Sequence, residues 1–498
     1  MNHLLLLLPL LMPLYGAIFS LFFWRNVELQ KVFALQSQVA TLVSCILLFM
    51  AVEDKGILTT QVGNWPAPYG ISLVADMFSC IILLAGSVTG FAVFMFSLQG
   101  LDFPRQAYGY YPLMLFLQLG VSGACLAGDL FNMFVWFEVL LICCFVLITL
   151  GGSRPQLEGS IKYVTINFLA SSFLLAGIGI MYGLVGTLNL AEMALLVRIL
   201  EGHESLITMA GMFFLVALGV KAAVFPLFFW LPASYHTPPI AISAFLAGLV
   251  TKVGVYALVR LFTLIFVLDT ELTQLLLSVI AGLTMFIGVV GAAAQTDFRK
   301  ILSFHIVSQI GYMIMGLAFF TPYAIAGLIF FMVHNILVKT NLFLISGVVA
   351  RHYNSFALKD LGGVYLKQPF LALLFAISAF SLAGIPPLSG FWGKYMLAKA
   401  GLELKAYALV GVSLLVSLLT LFSMTKIWNE VFWKKKPDET EVALLSPITN
   451  RMLHMPVVML VLFILFISLY AEPLVHLAYR AAIQLLDSDI YIRAVLYQ

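Results

Sequence analysis

Charged side chains are scarce in this sequence of 498 residues. Asp, Glu, Lys and Arg make up only 10% of it, while hydrophobic residues make up 62%. A soluble globular chain carries about 25% charged residues. So few polar side chains could not cover such an apolar core in water, and this excludes a water-soluble protein. The composition favours a lipid bilayer as the solvent.

Several kinds of chemistry lack their usual signals. The net charge of only +3 gives no basis for nucleic-acid binding. No phosphate-binding glycine pattern stands out, and no cluster of histidines and aspartates is typical of a lipid-modifying enzyme. The cysteines lie in apolar segments without a C-x-x-C pair, so we interpret them as buried small hydrophobes. We therefore predict no cofactor and no metal. The five cysteines are Cys45, Cys80, Cys125, Cys143 and Cys144.

Long apolar runs fill the chain. A transmembrane helix needs about 20 predominantly apolar residues, and the sequence predicts an all-α integral membrane protein with about fourteen such helices. The first run has no basic n-region and no clear cleavage site, so we predict an uncleaved helix. The final segment, 472–498, mixes charges with Leu, Ile and Tyr and is predicted to lie along the interface. The predicted spans are 3–23, 33–52, 72–98, 109–127, 130–151, 162–186, 207–230, 239–263, 272–293, 300–319, 323–349, 369–400, 405–428 and 452–471.

The loops between these spans differ in positive charge. An even number of spans places both termini on one side, and Lys and Arg are enriched in cytoplasmic loops. The asymmetry therefore predicts that both termini lie outside. The positive-rich loops contain Arg25, Lys31, Arg105, Arg154, Lys162, Arg299, Lys300, Arg351, Lys359, Lys367, Lys426, Lys434, Lys435, Lys436 and Arg451. The positive-poor loops contain Lys55, Arg198, Lys399, Lys405, Arg480 and Arg493.

A second set of ionisable side chains lies inside the apolar spans. A charge at the bilayer centre costs on the order of 3 kcal/mol, so these residues must face a polar interior. A single buried Glu–Lys pair could simply lock two helices together, but so many groups on different helices favour a proton relay. For His305 the sequence favours a packing role and a role in proton transfer equally. We interpret Asp129 and Arg260, which lie near helix ends, as interfacial. The candidate relay residues are Glu138, Lys221, Lys252, His334, Lys339 and Lys394, with His305 as a further possibility.

Two spans are interrupted by proline or glycine. The seventh contains Pro226 and Pro232, and the twelfth contains Gly384, Pro386 and Pro387. Proline breaks helical hydrogen bonding, and broken helices at matching places in two halves are typical of inverted repeats with a functional site at the breaks. Offsets of 173, 167 and 174 residues relate Lys221 to Lys394, Glu138 to His305 and Lys252 to Lys426. We therefore predict two inverted five-helix repeats, spans 4–8 and 9–13. The predicted units are 1–108, 109–265, 266–430 and 431–498.

Three segments resemble the proton-pumping antiporter-like family, whose members include large membrane subunits of respiratory complex I, of membrane-bound hydrogenases and of Mrp multisubunit Na+/H+ antiporters. They are VKAAVFPLFFWLPASYHTPPIAISAFLAGLVTK (219–252), QTDFRKILSFHIVSQIGYMIMG (295–316) and LAGIPPLSGFWGKYML (382–397). The first and last combine a lysine, a helix break and flanking aromatic residues. The resemblance extends over most of the chain.

The resemblance implies roles for individual residues. Glu138 matches the family's helix-5 glutamate, Lys221 its helix-7 lysine and Lys252 its helix-8 lysine. The polar position of helix 11 matches His334 or Lys339, and their spacing of five residues leaves open whether both face one pathway. Lys394 matches the terminal group of helix 12. Two features resemble the D-type branch of the Mrp subunits. One is the lysine at this terminal position, and the other is that the chain stops soon after its last span.

The implied function is proton translocation within a multisubunit Na+/H+ antiporter, as a transporter subunit rather than an enzyme. The implied partners are an A-type antiporter-like subunit, small membrane subunits, membrane lipids, protons and sodium, in the cell membrane of a prokaryote. The implied mechanism begins with an ion pair between Glu138 and Lys221, which opens when Glu138 turns toward a neighbouring subunit. The alternative is a redox-driven proton-pumping subunit of an NADH:quinone oxidoreductase of the complex I type or of a membrane-bound hydrogenase.

Overall fold

The computed structural model describes residues 2–267, 270–435 and 446–497. Helices dominate, and π-helical turns at Gln106–Tyr110, Leu246–Val250 and Trp428–Trp433 and 3-10 turns at Val62–Asn64 and Leu358–Asp360 adjoin them. The elements are α1 (Asn2–Phe22), α2 (Val27–Lys55), β1 (Leu58–Gln61), β2 (Ser72–Ala75), α3 (Met77–Gly100), α4 (Phe103–Arg105), α5 (Tyr111–Leu126), α6 (Leu130–Thr149), α7 (Arg154–Val185), α8 (Leu190–Ile199), α9 (Glu204–Ala222), α10 (Trp230–Ser234), α11 (Ile240–Phe245), α12 (Thr251–Leu264), α13 (Thr270–Ala294), α14 (Phe298–Phe319), α15 (Pro322–Tyr353), α16 (Val364–Lys367), α17 (Pro369–Ala383), α18 (Ser389–Glu403), α19 (Tyr407–Ile427), α20 (Pro447–Leu469), α21 (Ala471–Leu486) and α22 (Ser488–Leu496).

The predicted many-span architecture is confirmed. In the described part of the chain, thirteen segments are long and apolar enough to cross a membrane. The remaining predicted span, 369–400, is divided between α17 and α18, so neither half reaches the length of a complete span. The third helix begins at Met77, five residues later than predicted, because Ser72–Ala75 pairs with Leu58–Gln61 as an antiparallel hairpin. Alternation over only four residues is too weak a signal to have predicted this hairpin.

The end of the chain forms more structure than the sequence indicated. We expected 472–498 to lie along the interface, but it forms α21 and α22, and α21 packs along α15 and α3. The stretch 186–206 between two spans contains α8, which packs against α22. Arg198 Nη1 of α8 lies 2.6 Å from Asp489 Oδ1 of α22. An ion pair between residues so distant in sequence could not be predicted from either segment alone.

Helix α15 is the central helix of the bundle. Its most apolar stretch is buried entirely within the protein, and it packs against α3, α14, α18, α20 and α21. A helix that is surrounded on all sides carries no lipid-facing stripe. Polar residues on α15 are therefore enclosed by protein, which explains how this helix can carry both His334 and Lys339.

The predicted repeats and unit boundaries stay predictions. One residue pairing on which they rested is weak, because Lys252 and Lys426 have different surroundings. Lys252 is 1% exposed in the middle of the bundle, whereas Lys426 Nζ donates to the carbonyl oxygens of Ala293 and Gln295 at the end of α13, at 3.0 and 2.8 Å. Lys426 thus satisfies a helix C-terminus. Lys436, one of the positive-rich loop residues, lies outside the described residues.

Candidate functional site

The first helix break follows Lys221 directly. Helix α9 ends at Ala222, and Ala223 adopts the left-handed conformation with φ +62°. Two side chains satisfy backbone groups that the break sets free. Trp230 Nε1 donates to the Val220 carbonyl oxygen at 3.1 Å, and Thr284 Oγ1 accepts from Phe225 N at 2.9 Å. The break is thus held by protein groups, as an irregular backbone inside a membrane requires.

The second break precedes Lys394. Helix α17 ends at Ala383, and Gly384 takes φ +88°, a conformation that glycine adopts without steric cost. Lys394 lies in α18, after the break, and its ammonium reaches back across it. Lys394 Nζ donates to the carbonyl oxygens of Leu382 at 3.2 Å and Ala383 at 3.0 Å. Each break therefore has a lysine beside it, as the sequence indicated, and Lys394 stabilises the freed end of α17.

A serine joins Glu138 to Lys221. Ser171 Oγ on α7 donates to Glu138 Oε1, and it accepts from Lys221 Nζ at 3.1 Å. Among the described residues no direct salt bridge links Glu138 and Lys221; Ser171 bridges the two side chains instead, and their ion pair stays a prediction. Glu138 is only half-buried, on a face of α6 that also exposes Phe131, Val135 and Ile142. Sequence reasoning missed Ser171 because an isolated serine in an apolar helix carries no specific pattern.

A small cavity borders the Lys221 side chain. Its volume is about 20 Å³, and its lining includes Tyr163, Asn167, Trp230 and Val250 as well as Lys221 itself. A polar cavity of at least about 10–15 Å³ can hold a water molecule. Val250, two residues before Lys252, is part of the cavity lining, so the cavity borders both the first break and the π-helical turn that precedes Lys252.

Lys252 follows a π-helical turn. The turn spans Leu246–Val250, and Lys252 Nζ donates to the Ala247 carbonyl oxygen at 2.6 Å. Turns of this type occur frequently at functional sites because they leave backbone groups outside the regular ladder. The lysine is 1% exposed, and its ammonium is held by a backbone carbonyl rather than by a carboxylate.

Helix α15 places Lys339 and His334 in different surroundings. Lys339 is fully buried, and its Nζ has no hydrogen-bond partner among the described residues. It interacts electrostatically with Lys252 and with Lys394. His334 lies at the second break, where its Nδ1 is 2.8 Å from Ser389 Oγ. Both residues lie in the interior, and His334 lies beside the break.

His305 lies near the same end of the row. Its Nε2 is 2.6 Å from Ser423 Oγ on α19, and it interacts electrostatically with Lys339 and Lys394. Tyr312, further along α14, carries the Lys394 ammonium 4.9 Å above its ring centroid. Its hydroxyl donates to the Ser413 carbonyl oxygen at 2.5 Å. Sequence reasoning missed Tyr312, because tyrosine is common in membrane helices.

Arg260, which lies near the end of α12, is buried within the protein. Its side chain is 5% exposed and forms an ion pair with Asp76, Nη2 to Oδ2 at 2.5 Å. Helix α21 packs against α12, and the ring centroid of Tyr491 of α22 lies 5.3 Å from the Arg260 guanidinium. Asp129 does lie at a helix start, where its Oδ1 accepts from Asn132 N at 2.8 Å. All five cysteines are buried free thiols, as predicted.

These contacts define a class of protein. Ionisable groups separated by a small cavity and two helix breaks extend through the interior of a many-span helical bundle, from Glu138 at its side to Lys394. Such a row suits the stepwise movement of protons, because its amines and imidazoles bind and release a proton without a change of fold. The molecule is thus a polytopic membrane protein that encloses several ionisable side chains within its helical bundle.

Comparison with known proteins identifies the family. Residues 127–420 match the family model described as the transmembrane region of NADH:quinone oxidoreductase and Mrp antiporter subunits. The chain is 44% identical over 496 residues to the D-type Na(+)/H(+) antiporter subunit of Alkalihalophilus pseudofirmus, covering 100% of both. It is 40% identical over 491 residues to the D-type subunit of Bacillus subtilis, covering 98% of this chain and 99% of that one. The chain therefore belongs to the family of membrane subunits that NADH:quinone oxidoreductases and Mrp antiporters share.

A solved structure agrees with this assignment. A chain in the Mrp complex of a Dietzia species superimposes with a TM-score of 0.91 at 31% identity, covering 99% of both chains. The match includes the segments on either side of both breaks, since it extends over nearly the whole length. The fold described above is thus the fold of a subunit found in an Mrp complex.

Proposed function

We propose that this chain is the proton-translocating subunit of a multisubunit Na+/H+ antiporter and acts as a secondary transporter rather than as an enzyme. The observation that carries the proposal is the bridged contact Glu138–Ser171–Lys221. The proposed path continues from this contact through the other buried lysines. The antiporter subunits that share 40–44% identity with the chain support it further. A redox-driven pump would use the same side chains but would need an electron-transfer partner.

The proton first resides on Lys221. While Ser171 holds both side chains, the Glu138 carboxylate compensates the charge of the Lys221 ammonium. When Glu138 turns toward a positive charge on a neighbouring subunit, Lys221 loses this compensation in a low-dielectric interior. It then releases its proton into the cavity bordered by Val250, where a water molecule can accept it.

From the cavity the proton passes to Lys252 and then through Lys339 toward Lys394. In the described part of the chain, the ammonium groups of Lys252 and Lys394 donate to backbone carbonyls and to no carboxylate, so no carboxylate traps the proton there. Lys339 is the central step, because it interacts with the lysines on both sides. His334 and His305 lie close to the last step, where Ser389 and Ser423 orient their rings.

The partners follow from the exposed face of α6. Glu138 is half-buried among Phe131, Val135 and Ile142, each at least 41% exposed. A carboxylate on a lipid-exposed stripe is costly, so a neighbouring subunit with a positive charge is the occupant that fits this face. We propose an A-type antiporter-like subunit there, with small membrane subunits elsewhere, in the cell membrane of a prokaryote with both termini outside.

The test is sodium-driven proton movement in proteoliposomes that contain the complete complex and no NADH or quinone. We expect Lys221→Ala and Glu138→Ala each to abolish antiport while the complex still assembles, because each removes one end of the bridged pair. Lys162→Ala and Glu158→Ala are matched controls on α7, since that pair is exposed to solvent, and they should retain full antiport. Undiminished antiport by either test variant would contradict the proposal.

A further inference from the structure

A second buried ion pair lies outside the row described above. Arg260 of α12 and Asp76, which precedes α3, are 5% and 2% exposed. Asp76 is already fixed by its own helix, because its Oδ1 accepts from Ser79 N at 2.9 Å and its backbone N donates to Ser79 Oγ at 2.9 Å. Its position therefore does not depend on Arg260. The remaining carboxylate oxygen, Oδ2, is directed at the guanidinium.

Arg260 has one compensating charge among the described residues. Asp76 is the only carboxylate within salt-bridge distance of it. The rings of Tyr256, Tyr491 and Phe78 surround the guanidinium, with centroids 5.6, 5.3 and 6.0 Å away. The other titratable groups that act on this pair or its rings are Cys80 of α3, Cys125 of α5 and Asp129 at the start of α6.

Lys252 lies on the same face of α12 as Arg260. Lys252, Tyr256 and Arg260 are spaced four residues apart, which places them in one line along a helix. The Tyr256 hydroxyl accepts from Arg260 Nη2 at 3.3 Å and donates to the Cys125 carbonyl oxygen at 2.6 Å. Two helical turns separate Lys252 from Arg260, about 12 Å along the axis. Lys339 of α15 also interacts electrostatically with Lys252, so Lys252 has a second cationic neighbour besides Arg260.

We propose that Asp76 is a positioning residue for proton transfer through Lys252: by neutralising Arg260 it permits Lys252 to take up a proton between two cationic neighbours. The inference rests on the proposed function, because it assigns a role within the same relay. Without Asp76, Arg260 would carry an uncompensated charge in the interior and would oppose a second charge on Lys252. Without Arg260, the Asp76 carboxylate would attract the positive charge on Lys252.

The test is the pH profile of sodium-driven antiport by the complete complex in proteoliposomes. Asp76→Asn removes the charge and keeps a residue that caps helices well. We expect the alkaline limb of its profile to move to lower pH by about one unit, from Coulomb's law at about 12 Å with an effective dielectric constant of about 20. Arg260→Gln should move the limb to higher pH. The double variant Asp76→Asn/Arg260→Gln should return it toward the wild type.

Opposite shifts of the single variants and their cancellation in the double variant would support the proposal, since a structural role does not produce them. Lower activity with an unmoved profile would overturn it. If Asp76→Asn does not assemble, Arg260→Gln alone decides by the same criterion. It is also possible to distinguish a purely structural pair. In that case both single variants fail to assemble, whereas the double variant assembles and keeps the wild-type profile. This result would also overturn the proposal.

The control pair is Asp102→Asn and Arg105→Gln, because this ion pair is 35–43% exposed, and neither change should move the profile. Wild-type antiport and its loss in Lys252→Ala are measured first. Absence of antiport in the wild-type complex would refute the proposed function, whereas antiport with unmoved profiles in the Asp76 and Arg260 variants would refute only the role of Asp76.

Discussion

Ser171 changes the expected chemistry of the first step in the row. A direct Glu–Lys contact would bind the proton tightly, because two opposite charges in contact stabilise each other strongly in an apolar interior. A hydroxyl placed between them accepts from the ammonium and donates to the carboxylate, so each charge keeps a hydrogen bond while they stay further apart. Small movements of Glu138 therefore suffice to change the electrostatic balance at Lys221.

This arrangement makes a prediction about a residue that carries no charge. We expect Ser171→Ala to lower the rate of antiport roughly tenfold, because a hydrogen bond to a charged group contributes about 1.5–3 kcal/mol. Ser171→Thr, which keeps the hydroxyl, should retain most of the rate. The measurement is the initial rate of sodium-driven proton movement in proteoliposomes containing the complete complex.

Ser172→Ala is the matched control for this prediction. Ser172 is the next residue on α7, is exposed, and donates only to the Phe168 carbonyl oxygen of its own helix. Its removal should leave the rate unchanged. Equal rates for Ser171→Ala and wild type would show that the bridge has no part in proton transfer.

At the scale of elements, the two broken helices use different means to hold their free ends. Trp230 satisfies the Val220 carbonyl at the first break, so Lys221 is left free to contact Ser171. At the second break Lys394 itself donates to the carbonyls of Leu382 and Ala383. Lys394 thus combines two tasks, the stabilisation of the end of α17 and the proposed transfer of a proton.

Lys394→Arg separates these two tasks. A guanidinium can still donate to the two carbonyls, but it does not release a proton in proteins. We expect the variant complex to assemble with an unchanged melting temperature and to lose antiport. The measurements are thermal unfolding of the purified complex and antiport in proteoliposomes. Lys394→Glu is expected to lose more stability, because an ionised carboxylate would face the negative end of a helix.

Lys399→Arg on the same helix is the control, since the Lys399 ammonium lies 5.0 Å from the Tyr323 ring centroid and outside the row. It should change neither quantity. Full antiport by Lys394→Arg would show that Lys394 only stabilises the helix end and that the proton leaves the row before this point.

At the scale of the whole molecule, the distribution of Lys and Arg predicts which face is cytoplasmic. Tyr69 lies in a positive-poor loop and is 87% exposed, and Leu366 lies in a positive-rich loop and is 84% exposed. In intact cells a membrane-impermeant maleimide should label Tyr69→Cys, whereas Leu366→Cys should be labelled only after permeabilisation. The five native cysteines are at most 5% exposed, so they give little background.

Labelling of both sites in permeabilised cells is the control for accessibility within the complex. The opposite pattern, with Leu366→Cys labelled in intact cells, would place both termini inside. It would leave the proposed order of residues along the proton path unchanged.

The sequence by itself determined that the protein lies in a lipid bilayer. It also determined the membrane spans and the residues with the largest desolvation cost. An apolar run long enough to cross a bilayer has a local signal, and a charge within it is costly wherever the helix lies. Glu138, the four lysines and both breaks were therefore visible without coordinates. The family resemblance added an order to them, and the comparisons bear out the family.

Only the tertiary structure decided which groups meet. Ser171 lies 33 residues from Glu138 and 50 from Lys221, and Asp76 lies 184 residues from Arg260. Such contacts depend on how helices pack side by side, for which a single apolar helix has almost no signal because nearly every face of it is hydrophobic. For the same reason the position of Arg260 near a helix end did not predict its burial against Asp76.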